Sequence, residues 1–300
     1  MSEKTEPRPA PQRSRLILAG SAAYLVLIFG VMLWRGVSIE PEWVVLALLL
    51  IAIALGRGRS FVIDWLPFLI LFLAYEEMRG FASKTGFAPY DLSGLERFLF
   101  GGSIPTLVLQ RAFYHPGAVS PQDVIAMFFY FMHFPLPIVV GFVFWINRRE
   151  HYRRFVAALL LMCFLAFATY LFFPSAPPWY QFPGQVVKIN DRTVGALWDG
   201  QYAVSQIYNS FNPNRFAAFP SLHAAFPALA AAYAWSRYRA LALGLIAWSL
   251  AVLVAIVYLG EHYVVDALDG YVYVAVAMVI VELVARRRAK RASKPATPSA

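Results

Sequence analysis

Two short stretches carry residues that can do chemistry: AFPSLHAAF at 217–225 and YLGEHYVVDALDG at 258–270. Each places a histidine, His223 or His262, at one end of an apolar run. His262 and Asp266 are four residues apart and so share one helix face. A carboxylate beside an imidazole fixes its tautomer and steadies the imidazolium. The other ring nitrogen is left to attack or to take a proton. In the first stretch Pro220 sits where a helix would begin, and Ser221 falls at the N-cap or first turn. The free N–H groups of a helix start seat a phosphate. His223 follows within that turn. Two histidines, a carboxylate, a hydroxyl and an anion-binding helix start suit phosphoryl transfer through a phosphohistidine. One histidine attacks phosphorus, and the other protonates the leaving oxygen.

These groups need elements that hold them at one depth. The chain has 300 residues, 60% of them hydrophobic and only 14% charged. A soluble domain carries about 25% charged residues, so lipid must cover much of this surface. Continuous apolar runs occur near 16–34, 42–55, 61–78, 121–146, 155–174, 218–235, 240–259 and 262–285. Continuous runs mean helices, whereas barrel strands alternate. The fold class is therefore all-α, a polytopic membrane protein with about eight transmembrane helices. Basic residues gather after every second run, at 4–15, 57–59, 148–154, 237–239 and 286–294. Positive charge stays cytoplasmic. Both termini are then cytoplasmic, and the long connections near 80–120 and 175–217 lie on the far side with the histidines. This pattern divides the chain into a disordered basic cytoplasmic tail (1–15), two N-terminal transmembrane helices (16–58), a catalytic transmembrane domain (59–286) and a second basic cytoplasmic tail (287–300). Such topology accounts for the net charge of +9 without nucleic acid as a partner.

The first long connection holds LERFLFGGSIPTLVLQRAF, broken by Gly101, Gly102 and Pro105, and reads as an interfacial or re-entrant helix. In the second, the prolines of PSAPPWYQFPG enforce a non-helical path. Trp179 and Tyr180 there suit the headgroup layer, as interface anchors or as substrate contacts. His133 lies within the fourth run, either functional or making one interhelical hydrogen bond. Cys163 is a lone packing thiol.

PSLH followed about 40 residues later by HYVVD resembles the second and third signatures of the type 2 phosphatidic acid phosphatase superfamily. The contexts AAFPSLHAAFP and VYLGEHYVVDALDG are most similar to its inositol phosphorylceramide synthase-like branch and bacterial relatives. APPWY (176–180), YFMHFPLP (130–137) and DWLPFLILFLAYEEMRG (64–80) resemble further stretches of that branch. The resemblance implies a six-helix catalytic core and metal-independent, cofactor-free work on a phospholipid or lipid-linked phosphate. By motif position His262 resembles the nucleophile, Asp266 its partner, His223 the leaving-group acid and Ser221 a phosphate ligand. The first signature, a lysine followed by Arg-Pro, is missing. The usual Ser-Arg before the third is replaced by Ala255 and Ile256. Other cations must neutralise the phosphate. Arg79, Arg111, Lys188, Arg192 and Arg215 lie on the correct side. Arg79 and Arg111, beside spanning segments, are the favoured pair.

The expected activity is a plasma-membrane lipid phosphotransferase or phosphatase with its site on the extracytoplasmic face. The resemblance tilts it toward transfer of an inositol phosphate-like head group. A simple lipid phosphate phosphatase would use the same residues. A transporter, or a non-catalytic lipid-binding protein, is the reading of another class.

Overall fold

The computed structural model describes residues 23–27, 29–31, 34, 41–82, 86–133, 135–197 and 214–292, except the side chains of 41–43 and 79–81. Among the described residues the chain is helical, without a β-sheet. In order come α1 (Pro41–Ala54), α2 (Gly58–Ala82), α3 (Ser93–Leu99), α4 (Pro105–Phe113), α5 (Pro121–Phe131) and α6 (Pro135–Asn147). Then follow α7 (Arg149–Phe172), α8 (Pro178–Gln181), α9 (Ile189–Leu197), α10 (Leu222–Trp235), α11 (Arg239–Tyr258) and α12 (Val264–Ala292). The described part of the 16–34 run is helical as well.

Among the described residues α7, α11 and α12 are long and apolar enough to cross a membrane, and α5 with α6 makes a fourth if the bent pair is one span. α12 runs on to Ala292, past the expected boundary at 286. The 121–146 run, expected as one continuous span, is broken: α5 and α6 meet at about 50°. Pro135 and Pro137 open α6. Proline lacks an N–H, so it cannot continue a preceding helix, though it suits a first turn. His133 thus sits at a break and not inside a helix. A second correction concerns the Pro-rich stretch expected to be non-helical. Pro178–Gln181 forms one helical turn with proline at its start, with extended chain before it and a turn after it.

Around α10 pack α6, α7, α11 and α12, while α2 lies on α7 and α5 on α11. α10 is lined with Ala224, Ala225, Ala230, Ala231 and Ala234, all buried. Small residues let helix backbones approach closely where lipid offers no hydrophobic drive. Closest is Gly270 of α12: a Cβ built there would lie 2.5 Å from the Ser221 carbonyl oxygen. At the opposite end Asp64 accepts hydrogen bonds from Trp145 Nε1 at 2.7 Å and Arg149 Nε at 2.5 Å, and Arg153 lies 3.5 Å away. Asp64 is therefore a structural tie among α2, α6 and α7.

Candidate active site

Three extended pieces of chain frame the histidine end of the bundle. Ser175 bridges Tyr90 on one side and Ala217 on the other, in parallel. The next residue, Ala218, turns its carbonyl to the Nδ1 of His262 at 3.0 Å. After Phe219 and Pro220, α10 begins. The Tyr170 hydroxyl of α7 donates to the Pro220 carbonyl at 2.7 Å, and the Ser221 N–H donates to the Asp266 carbonyl at 2.9 Å. These bonds lock the start of α10 to α7 and α12.

His262 lies in the short link between α11 and α12. The N–H groups of Glu261 and His262 both donate to the Ile256 carbonyl. Gly260 takes φ of +81°, and a Cβ there would sit 2.9 Å from the Val187 oxygen, so only glycine fits this turn. Nδ1 of His262 faces two acceptors, Ala218 O and Asp266 Oδ2, the latter at 3.3 Å. Two acceptors on one nitrogen assign the proton to Nδ1. Nε2 then carries the lone pair, and His223 Nδ1 lies 3.2 Å from it. Asp266 is fully buried and also receives the Tyr263 N–H at 2.8 Å on the same oxygen.

His223 is held from its faces. The Tyr130 ring stacks on it with centroids 4.5 Å apart, and the His133 ring lies 3.9 Å away. His133 is itself fixed by its Nδ1–H, which donates to the Tyr130 carbonyl at 2.6 Å. Ser221 occupies the N-cap position through its backbone, but its hydroxyl makes no capping bond. That hydroxyl is buried and has no hydrogen-bond partner among the described residues. The N–H groups of Leu222, His223 and Ala224 precede the first intrahelical bond of α10, which Ala225 makes to Ser221. A helix start of this kind suits an anion, and this one lies beside the two histidines.

These two histidine signatures lie inside residues 91–280, which match the PAP2 superfamily. The chain belongs to the PAP2 superfamily. It is also 29% identical over 211 residues to a phosphoinositol dihydroceramide synthase of Bacteroides thetaiotaomicron. That match covers 61% of this chain and 64% of the relative, so it spans less than two thirds of that protein's length. No solved structure gives a significant match.

In this superfamily member the structure brings His223, His262, Asp266, Ser221 and His133 together. Trp179 and Tyr180 lie on α8 at the rim. The Trp179 N–H donates to the Gly260 carbonyl at 3.1 Å, two residues before His262. Tyr180 is exposed, edge-on to Phe216. Arg111 is exposed in the last turn of α4, and the Arg79 side chain lies outside the described residues. Lys188 is better sheltered than Arg111. Its ammonium lies 5.3 Å over the Trp179 ring and 3.0 Å from Asp191. Its charge also acts on Glu261, the neighbour of His262. Burial raises the Glu261 pKa, Lys188 opposes that rise, and Asn190 Nδ2 donates to the carboxyl at 3.2 Å. Among the described residues no group of three His, Cys, Asp or Glu is arranged to hold a metal.

Two contributors escaped the sequence reading. Tyr130, in an apolar helix, gave no chemical signal. Glu96 on α3 is fully buried, and its two oxygens accept the N–H groups of Val264 at 3.0 Å and Val265 at 3.1 Å. It caps the helix that begins beside His262. An acid in a short helix between Gly-broken apolar stretches was the available hint.

Proposed function

We propose that this protein moves a phosphoryl head group of the inositol phosphate kind between lipids, through a phosphohistidine on His262. The observation that carries the reading is the double restraint on His262 Nδ1, which leaves the Nε2 lone pair facing His223. A phosphodiester phosphorus enters between the two rings, its oxygens on the N–H groups at the start of α10 and on the Ser221 hydroxyl. Nε2 attacks, an N–P bond forms and the P–O bond to the donor lipid breaks. The His223 N–H, now freed from Nε2, passes its proton to the departing alkoxide. In the second half an acceptor alcohol attacks phosphorus and gives its proton to His223 as the N–P bond breaks. Asp266 and the Ala218 carbonyl hold the growing positive charge on His262 throughout. Lys188 and Arg79 or Arg111 offset the phosphate charge. Water in place of the alcohol would give a phosphatase on the same groups.

The apolar runs and alternating basic clusters support about eight spans around a six-helix core, with both termini cytoplasmic and the histidines at the extracytoplasmic leaflet of the plasma membrane. The bacterial relative is named as a synthase, which supports transfer over hydrolysis. A transport pathway finds less support, because Asp64 is already tied by Trp145 and two arginines.

The test is turnover of a mixed phospholipid panel by purified wild type and His262→Ala, with products read by mass spectrometry. Head-group transfer by the wild type, lost in the variant, is expected. Release of free phosphate with no transfer to any alcohol would reduce the function to a phosphatase. Undiminished turnover by His262→Ala would remove the phosphohistidine.

A further inference from the structure

α3 and α4 are inside out. On α3, Ser93 and Glu96 are buried, while Leu95, Phe98 and Leu99 are exposed, Phe98 at 82%. On α4, Thr106 and Gln110 are buried, while Val108 and Phe113 are exposed. A surface helix in water shows the opposite pattern, with its apolar stripe inward. Arg97 and Arg111 are exposed on the same two helices.

Their depth follows from α12. About 20 helical residues cross the hydrocarbon of a bilayer. Counted back from Ala285, the last residue before Arg286, they end at Asp266. Glu96 caps the very start of α12, so α3 lies at the far-side edge of the hydrocarbon. α4 packs on α11 and bonds to its last residue, Tyr258. The spans that carry the two helices are apolar outside as well, at Leu268 and Val272 of α12 and at Leu250 and Val254 of α11.

The buried polar residues meet the link that carries His262 from both of its ends. Glu96 accepts the N–H groups of Val264 and Val265, just after the histidine. Gln110 Nε2 donates to the carbonyls of Tyr258 and Val187, both at 2.8 Å, and its Oε1 accepts the Val187 N–H at 2.8 Å. The same Nε2 lies against Gly260, where a built Cβ would come within 3.2 Å of it. Leu92 and Ile104, just ahead of the two helices, are buried with Tyr263 and Val265.

We propose that the acyl layer of the far-side leaflet covers the outer faces of α3 and α4, and that this cover keeps the His262 link in place. Lipid is the partner because these faces sit at the hydrocarbon edge on lipid-facing spans, and Arg97 and Arg111 beside them suit the phosphates of head groups. A helix lifted out of the leaflet draws Glu96 or Gln110 off the link and leaves buried N–H or C=O groups without partners. The inference rests on the phosphoryl-transfer reading only for its effect on turnover.

Depth and coupling are tested separately, both in nanodiscs. Spin labels at Phe98→Cys and Val108→Cys read depth, with the buried Cys163 left in place. Both labels should be reached by oxygen and not by a water-soluble nickel chelate. Ready access for nickel would put the faces in water. Shielding from both quenchers would put them against protein, whether a second copy or another chain. Either result overturns the inference. Coupling is read by amide exchange of residues 259–266 in Phe98→Asp, with Phe98→Leu as the apolar control. An acid is costly in the acyl layer, so Phe98→Asp should lift α3 and speed this exchange about tenfold, with a similar fall in kcat. Phe98→Leu should match wild type. Unchanged exchange in Phe98→Asp overturns the coupling. Labels at lipid depth and faster exchange, in a protein that transfers no phosphoryl group, would uphold this inference and remove the proposed function.

Discussion

Gly270→Ala should separate folding from catalysis. The added Cβ would stand 2.5 Å from the Ser221 carbonyl oxygen, against 3.4 Å for ordinary contact, so about 0.9 Å of movement is required. Backbone lies on both sides, and neither helix can yield by turning a side chain. Ser221 carries the start of α10 and with it His223. The same shift applied to His223 stretches its 3.2 Å approach to His262 beyond hydrogen-bond range. It also strains the 2.9 Å bond between the Ser221 N–H and the Asp266 carbonyl. Overpacking of this kind costs roughly 1–3 kcal/mol, which a folded bundle survives. A displacement near 1 Å at reacting groups costs on the order of 100-fold in rate. The expected outcome is a folded protein with a modestly lower melting temperature and kcat/KM reduced about 100-fold. Gly94→Ala is the control, since a Cβ there meets nothing within 4 Å. Wild-type kcat/KM in Gly270→Ala would refute the argument that this close approach sets the histidine spacing. An equal loss in Gly94→Ala would refute it too.

Other expectations are more local. Lys188→Gln should raise KM for a phosphorylated lipid about tenfold, the size of one charge-assisted hydrogen bond, with a smaller effect on kcat; steady-state kinetics at two ionic strengths checks this. Burial holds the Glu96 pKa above the ordinary carboxylate value, against the pull of its two N–H bonds. A folded pKa raised above the unfolded one gives stability that is full below the unfolded value and lost as pH rises through the folded one. Activity should run the other way, because the cap on Val264 and Val265 needs both oxygens as acceptors. Glu96→Gln, which cannot titrate, should lower the rate plateau and remove part of the acid limb, while melting temperature becomes less dependent on pH. An acid limb unchanged from wild type in the pH–rate profile would count against Glu96.

Much of this was legible in the residues themselves. α7, α11 and α12 follow their apolar runs because 20 or more residues in sequence leave little else for the chain to do in lipid. His262 and Asp266 do meet, but not on one helix face as their spacing of four suggested: His262 lies in the link ahead of α12, and its ring reaches Asp266 from there. The break between α5 and α6 was missed because hydropathy runs straight through it. Pro135 and Pro137 were the signal, and they speak about N–H groups that hydropathy ignores. Glu96 was out of reach for another reason. Its partner Val264 is 168 residues away, and a backbone N–H has no side-chain identity to read. Ser221 was placed correctly at a helix start, yet the usual inference that a serine there caps the helix failed. Its hydroxyl makes no capping bond, which only coordinates could reveal.

The Glu96 cap has a consequence for charge counting in the substrate. The starts of α10 and α12 lie near the histidine pair, and each carries the equivalent of roughly half a positive charge. Glu96 occupies the pole of α12 as a resident counter-ion, which leaves the pole of α10 for an incoming anion. A lipid with two consecutive phosphates would place its second group toward a carboxylate in place of an open pole. Inhibition constants for a lipid monophosphate and the matching diphosphate should therefore be nearly equal. A diphosphate that bound tenfold tighter would mean that its second group reaches a cation the cap does not shield. On the proposed function, then, the site answers to one phosphate and is indifferent to a second.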